Sequence, residues 1–260
     1  MKMKKIIAML LVLAMVLAFA GCATQEAPAT EAPATEAPAT EAPATEAPAT
    51  EAPVEEDTGV MSYEEFLAAE LESEVIIDTY VQGHQSWWDN KCTVYCQGPD
   101  GAYFLYEMTI SQADAEKLVP GTKIRVTGDK AEWAGEVEVM YAICEFLEDG
   151  DTYIAEPMDA TDLLGTEELI QHQNKLAAFN GMTVEAINYK NGEPGDDIYL
   201  TLGVNGASYE FCVEIYLTGE DSEVYQTVGA LEVGDVVNVE GYLYWYEGVN
   251  PHITAISVVE

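Results

Sequence analysis

Gly121-Thr122-Lys123-Ile124-Arg125-Val126-Thr127-Gly128 returns 113 positions later as Gly234-Asp235-Val236-Val237-Asn238-Val239-Glu240-Gly241. In both copies a glycine opens the run, apolar residues alternate with polar ones, and a second glycine closes it. Alternation at period two marks a β-strand with one buried face, so Ile124 and Val126 should point inward while Lys123, Arg125 and Thr127 face water. Gly128 and Gly241 stand where such a strand can bend sharply, because a residue without Cβ tolerates close backbone approach.

The flanks of the two octets also match. Short helices are expected just upstream, over residues 111–118 and 221–231. Downstream, an aromatic and then a glycine follow each octet, Trp133 with Gly135 and Tyr246 with Gly248, before final strands over 136–146 and 252–259. Further upstream, Asp100-Gly101-Ala102 and Asn205-Gly206-Ala207 each separate two strand-like runs and read as hairpin turns at positive φ. Ser62-Tyr63-Glu64-Glu65 is a capping box opening a helix to about residue 71, and Thr166-Glu167-Glu168-Leu169 opens a comparable one to about 176. β-type residues follow each, at 75–81 and 182–187. Self-similarity of this extent signals a duplicated unit.

Three strands, a helix and two further strands resemble the order of the OB-fold, and the Gly-x-x-(Ile/Val)-x-Val-x-Gly octet is similar to the opening of that family's fourth strand. The resemblance covers residues 61–260, taken twice, and looks like tandem OB-type bacterial lipoproteins. It implies a mainly β chain with short helices, folded as two OB-fold-like five-stranded Greek-key barrels in tandem. The first module would span 61–148, a connection 149–165, and the second module 166–260.

OB barrels bind on the face of strands two and three, using the loops between strands one and two and between strands four and five. On that scheme Trp87 and Trp88 fall in the first such loop of module one and Trp133 in its second. Tyr189 falls in the long loop 188–197 of module two, and Tyr244, Trp245 and Tyr246 in the other. All four tryptophans of the chain thus occupy ligand-loop positions, where exposed rings can stack on a sugar, an aromatic ligand or an apolar side chain. The competing reading is packing. Trp133 and Tyr246 hold equivalent places and would plug a barrel end, and of two neighbours on an extended strand only one, Trp87 or Trp88, can enter the core.

The chain starts with Lys2, Lys4 and Lys5, continues through an apolar run over residues 6–19, and reaches Ala20-Gly21-Cys22. This is the pattern of a secretory signal, residues 1–21, and the Cys after small residues resembles a bacterial lipobox. The resemblance implies that Cys22 is acylated and becomes the mature N-terminus, a two-chain anchor sufficient for stable membrane attachment. The apolar run is shorter than the ~17–25 residues a spanning helix requires. Five copies of Glu-Ala-Pro-Ala-Thr follow. Their composition cannot bury enough surface to order itself, so residues 22–57 read as a disordered, semi-stiff spacer reaching at most about 100 Å at ~3.1 Å per residue.

The full chain holds 47 acidic and 10 basic residues. Without Lys2, Lys4 and Lys5, 7 basic residues remain and the formal charge is near −40. Such a field repels phosphate backbones, which makes nucleic acid a poor partner, and Arg125 is the only arginine. Cys92, Cys96, Cys144 and Cys212 allow three pairings, with four buried thiols as the preferred reading. Cys92 and Cys96 lie too far apart on one strand to bridge each other. Asp149, Asp151 and Glu156 lack the ligand order of a calcium loop, and Asp196 and Asp197 read as loop solvation. His84, His172 and His252 share no ligand spacing, so no metal, no cofactor and no catalytic residue is singled out. The expectation is an extracytoplasmic, lipid-anchored binding or adaptor module whose aromatic loops take an envelope glycan, peptide or protein. The alternatives are a carbohydrate-active or other hydrolytic enzyme and, by fold analogy, nucleic-acid binding.

Overall fold

The computed structural model describes residues 59–148 and 150–259; the signal-like segment, Cys22, the spacer repeats and Asp149 lie outside them. The chain is mainly β, with a closed five-stranded barrel followed by a second sheet.

Helix α1 (Tyr63–Ala68) opens on the expected capping box: Ser62 Oγ accepts the Glu65 N–H, and the Glu65 carboxylate accepts the Ser62 N–H at 2.8 Å. At its other end Lys130 Nζ donates to the carbonyls of Phe66, Leu67 and Ala69 at 2.8–2.9 Å, satisfying acceptors that six residues of helix leave free. The strands β1 (Glu74–His84), β2 (Lys91–Gln97), β3 (Ala102–Thr109), β4 (Lys123–Trp133) and β5 (Glu136–Phe146) close in the order β1-β2-β3-β5-β4, and β4 returns to β1. A four-residue helix, α2 (Gln112–Ala115), lies between β3 and β4 and is shorter than its sequence suggested. Ile124 and Val126 are fully buried, while Lys123, Arg125 and Thr127 are partly exposed. Arg125 forms a two-pronged pair with Asp78 across β1 and β4, at 2.7 and 2.9 Å.

The second sheet contains β6 (Met158–Asp159), β7 (Leu176–Tyr189), β8 (Ile198–Val204), β9 (Ala207–Val213), β10 (Val236–Tyr242) and β11 (His252–Val258), ordered β10-β11-β9-β8-β7-β6. Because β10 also pairs with β7, the circuit β7-β8-β9-β11-β10 returns on itself and β6 adds in parallel to β7. Two short helices, α3 (Ile215–Thr218) and α4 (Glu223–Ala230), connect β9 to β10, and Phe179 and Phe211 meet edge to face at 5.0 Å in the core. The two glycines closing the octets do the same work. Each sits at a register shift, and an added Cβ would meet Val139 and the Met140 carbonyl at Gly128, or the His252 carbonyl at Gly241.

The structure corrects two further expectations. The helix expected over 166–176 is only a 3₁₀ turn, Leu169–His172, and β7 already begins at Leu176. Asn174 adopts left-handed backbone at φ 69°, which ends the helical path, and the side chains of Gln173 and Asn174 bond to the first barrel instead. Asn205 and Gly206 take the positive φ expected of a two-residue hairpin, but the Asp100-Gly101 turn does not. There Gly98 N–H bonds to Gly101 O across a four-residue loop, and Gly101 is glycine because the Tyr63 ring occupies the space of a Cβ. Residues 150–165, within the expected connection, contribute β6 and are pinned to the first barrel by the Gln82 amide, which contacts Tyr153 O and Ala155 N–H at 3.0 and 2.9 Å. Cys92, Cys96, Cys144 and Cys212 are free thiols.

Candidate functional site

Strand β2 is buried on both faces from Cys92 to Gln97. One face fills the barrel; the other carries Tyr95, opposite Phe104 of β3, and is covered by the second sheet, with which the barrel forms one compact unit. Tyr242 stacks on Tyr95 with centroids 4.4 Å apart, Tyr244 meets Phe104 edge-on at 5.2 Å, and His252 stacks on Tyr244 at 4.3 Å. The hydroxyl of Tyr95 donates to Glu214 Oε2 at 3.1 Å, and its oxygen lies 2.6 Å from His252 Nδ1. Gln85 donates its amide to the same Glu214 oxygen. Burial pushes the Glu214 carboxyl up to about 7 and holds His252 down at about 3, so the imidazole is neutral near pH 7.

A second seam lies at the β4–β5 turn. Gln173 bonds to Gly135 O and Val137 N–H, Asn174 to Val137 O, and Glu247 N–H to Ala134 O. Glu136, fully buried, accepts the Trp245 N–H at 2.9 Å through Oε2, while its Oε1 has no hydrogen-bond partner. Burial pushes Glu136 up to about 8 and Glu138 up to about 7.

Along the first seam runs a trough made of two cavities of about 300 and 280 Å³ that share Glu214, Tyr244 and His252. Trp88 and Tyr106 wall the first, and Tyr199, Glu210 and Tyr246 wall the second. Local backbone explains why these rings face out. Trp88 opens a tight turn to Lys91 in which Asp89 and Asn90 both take positive φ, at 46° and 61°. Tyr106 precedes Glu107, also at positive φ (45°), in an irregular stretch of the β2–β3 ladder where the Glu107 N–H turns to Thr93 Oγ1.

Of the seven aromatic residues singled out in the sequence, the structure brings Trp88, Tyr244 and Tyr246 to this trough; Trp88 is 73% exposed and Tyr246 56%. The other four lie elsewhere. Trp87 is half-buried against the first core with its indole N–H on Ile110 O, so the adjacent pair divides, one ring in and one out. Trp245 is buried in the second core, and Tyr189 packs on that core from its edge. Trp133 is 63% exposed at the end of β4 and does not line the trough. Trp133 and Tyr246 are both too exposed to plug a barrel end; of the neighbouring pair it is Trp245 that packs into the second core.

The sequence reading missed Tyr95, Phe104, Tyr106, Gln85, Glu214 and His252. One signal was present: Cys92-Thr93-Val94-Tyr95-Cys96 lacks the alternation of a strand with a wet face, which is the mark of a strand covered on both sides. Among the described residues no group of three or more His, Cys, Asp or Glu side chains is placed to hold a metal ion. The trough can therefore offer aromatic faces, carboxylates and neutral hydrogen-bonding groups.

No protein-family model and no curated protein matches the chain. Solved structures with some similarity include a murine DNA-binding protein bound to double-stranded DNA, at 12% identity and TM-score 0.35, covering 71% of this chain and 95% of that one. The HINb domain of p204 matches at 13% identity and TM-score 0.33, over 70% of this chain and 95% of its own. A Replication Protein A heterotrimer bound to single-stranded DNA matches at 12% identity and TM-score 0.33, over 77% and 52%. Likeness at this level assigns no ligand.

Proposed function

We propose that this chain is a lipid-anchored, extracytoplasmic binding module whose ligand lies in the trough between two OB-type barrels arranged in tandem. The tandem reading is supported by one circuit of five pairings in each half and by a glycine at the same bend of each fourth strand. Anchoring through Cys22 is supported by the signal-like N-terminus alone. Among the described residues no helix is long and apolar enough to cross a membrane.

The observation that carries the binding reading is the row of exposed rings, Trp88, Tyr106 and Tyr246, along a concave, carboxylate-lined surface. A folded chain leaves large rings exposed in one groove when a ligand covers them. Probing envelope glycan and peptide arrays with the purified protein tests this. Trp88→Ala and Tyr246→Ala should weaken capture about tenfold each, roughly 1.4 kcal/mol, at unchanged melting temperature. Undiminished capture by both variants overturns the proposal. Incorporation of an acyl label that Cys22→Ala abolishes tests the anchor.

Hydrolysis is the second reading, favoured by Glu138 and Glu214, two carboxyls raised to about 7 by burial and both near enough to Tyr244 to push its hydroxyl upward. A carboxyl kept protonated near neutrality can serve as a general acid. Release of product from a cell-wall glycan, lost in Glu214→Gln, would establish it. Nucleic acid is disfavoured by the charge of −37 and by a trough walled with carboxylates; saturable binding of a labelled single strand at low salt would reverse that judgement.

A further inference from the structure

The trough has a one-sided charge. Asp89, Glu107 and Glu214 line its first cavity and Asp197, Glu210 and Glu214 its second, against one lining cation, Lys91, already paired with Glu107. Asp197 is paired with Lys190 at 2.9 Å. Glu210 and Glu214 are different. Glu210 has the Asn250 amide at 3.4 Å, and Glu214 has the Gln85 amide and the Tyr95 hydroxyl, all neutral donors. His252 lies 3.6 Å from Glu214 but is neutral, so it supplies no counter-charge. Glu214 is therefore an acid whose side chain is only 20% exposed, set where both cavities meet, with no cation in salt-bridge contact among the described residues; held up at about 7 by burial, it gives up its proton fully once a cation settles beside it.

Around it stand π-faces. Tyr244 borders both cavities, Tyr199 and Tyr246 the second, and Trp88 and Tyr106 the first. Aromatic faces attract a cation through the ring quadrupole, and a partly dehydrated carboxylate adds a full opposite charge. An anionic ligand would meet the carboxylates of Asp89 and Glu210 and hold Glu214 protonated, whereas a cation gains the full Glu214 charge as that proton leaves. We propose that the trough recognises an organic ammonium group, primary or quaternary, seated against Glu214 and enclosed by the rings of Tyr244 and Tyr246. This rests on the reading of the trough as the ligand site and names the chemistry of what enters it.

The test titrates the purified full chain with cadaverine, with choline, and with 3,3-dimethylbutan-1-ol, the uncharged isostere of choline, following heat and tryptophan fluorescence. At least one amine should saturate, with the isostere at least about tenfold weaker, in the range a desolvated cation–π contact supports. Glu214→Gln should weaken that amine by a similar factor and flatten its salt dependence. Because Glu214 is mostly buried, the exposed Glu210→Gln serves as a second variant, expected to weaken the amine severalfold without touching the fold. Saturation by cadaverine alone marks a primary amine as the source, by choline alone a quaternary one. An isostere as tight as the amine, an unchanged affinity in both variants, or no saturation by either amine overturns the proposal. If neutral glycans are still captured through Trp88 and Tyr246, the binding reading survives and only the ammonium chemistry falls.

Discussion

At the scale of single residues, burial divides the tryptophans into two kinds. Trp245 is 9% exposed in the second core, so Trp245→Ala should cost about 3–5 kcal/mol of stability. Trp88 is mostly in solvent, and Trp88→Ala should leave stability within about 0.5 kcal/mol of the parent while weakening ligand capture about tenfold. Urea unfolding of the two variants checks the contrast; equal losses would mean that Trp88 is structural. The inward set of the fourth strand was legible, because Ile124 and Val126 alternate with Lys123, Arg125 and Thr127 and the pleat turns that pattern directly into burial. The fate of each tryptophan was not. Trp133 and Trp245 sit on comparable segments, and only what lies across the fold decides that one ring is covered and the other wet.

At the scale of elements, α1 is the case where six residues persist as a helix through outside help. Lys130→Ala removes three hydrogen bonds to carbonyls of the last turn together with a cation 5.2 Å above the Phe66 ring. The expected loss is about 1–3 kcal/mol, with amide exchange over residues 63–68 rising before that of β4. Uniform protection would contradict this. The two octet glycines make a paired prediction, since Gly128→Ala and Gly241→Ala each drive a methyl into a facing strand and should each cost about 1–3 kcal/mol in thermal unfolding. The octets and the Ser62 cap could be read from local pattern. The segment 166–176 misled because its capping signature is local, whereas Gln173 and Asn174 answer to partners 36 to 38 positions away in the first barrel.

At the scale of the whole molecule, the junction of the two sheets ties stability to pH. Glu136, Glu138 and Glu214 titrate near 8, 7 and 7 in the folded chain, against an ordinary value of 4.5. The folded state keeps protons that the unfolded chain has released, so their contribution is complete below about 4.5 and is lost as pH rises through 7 to 8. His252, lowered from 6.5 to about 3, acts in the opposite sense and removes stability as pH falls over that interval. Three carboxyls outweigh one imidazole between 4.5 and 6.5, so the melting temperature should peak near about pH 5 and decline toward 8. Glu136→Gln should flatten the decline, and a melting curve rising from pH 5 to 8 would refute the assignment. This junction was the least legible part of the sequence, because Tyr95 reaches Glu214 and His252 across 119 and 157 residues. The same covered face of β2 has a practical corollary. A protease cut or a gene truncation within residues 150–157 would strip Tyr95 and Phe104 of their lid, so neither half should be recoverable as a well-behaved soluble fragment, and calorimetry of the intact chain should record one endotherm in place of two.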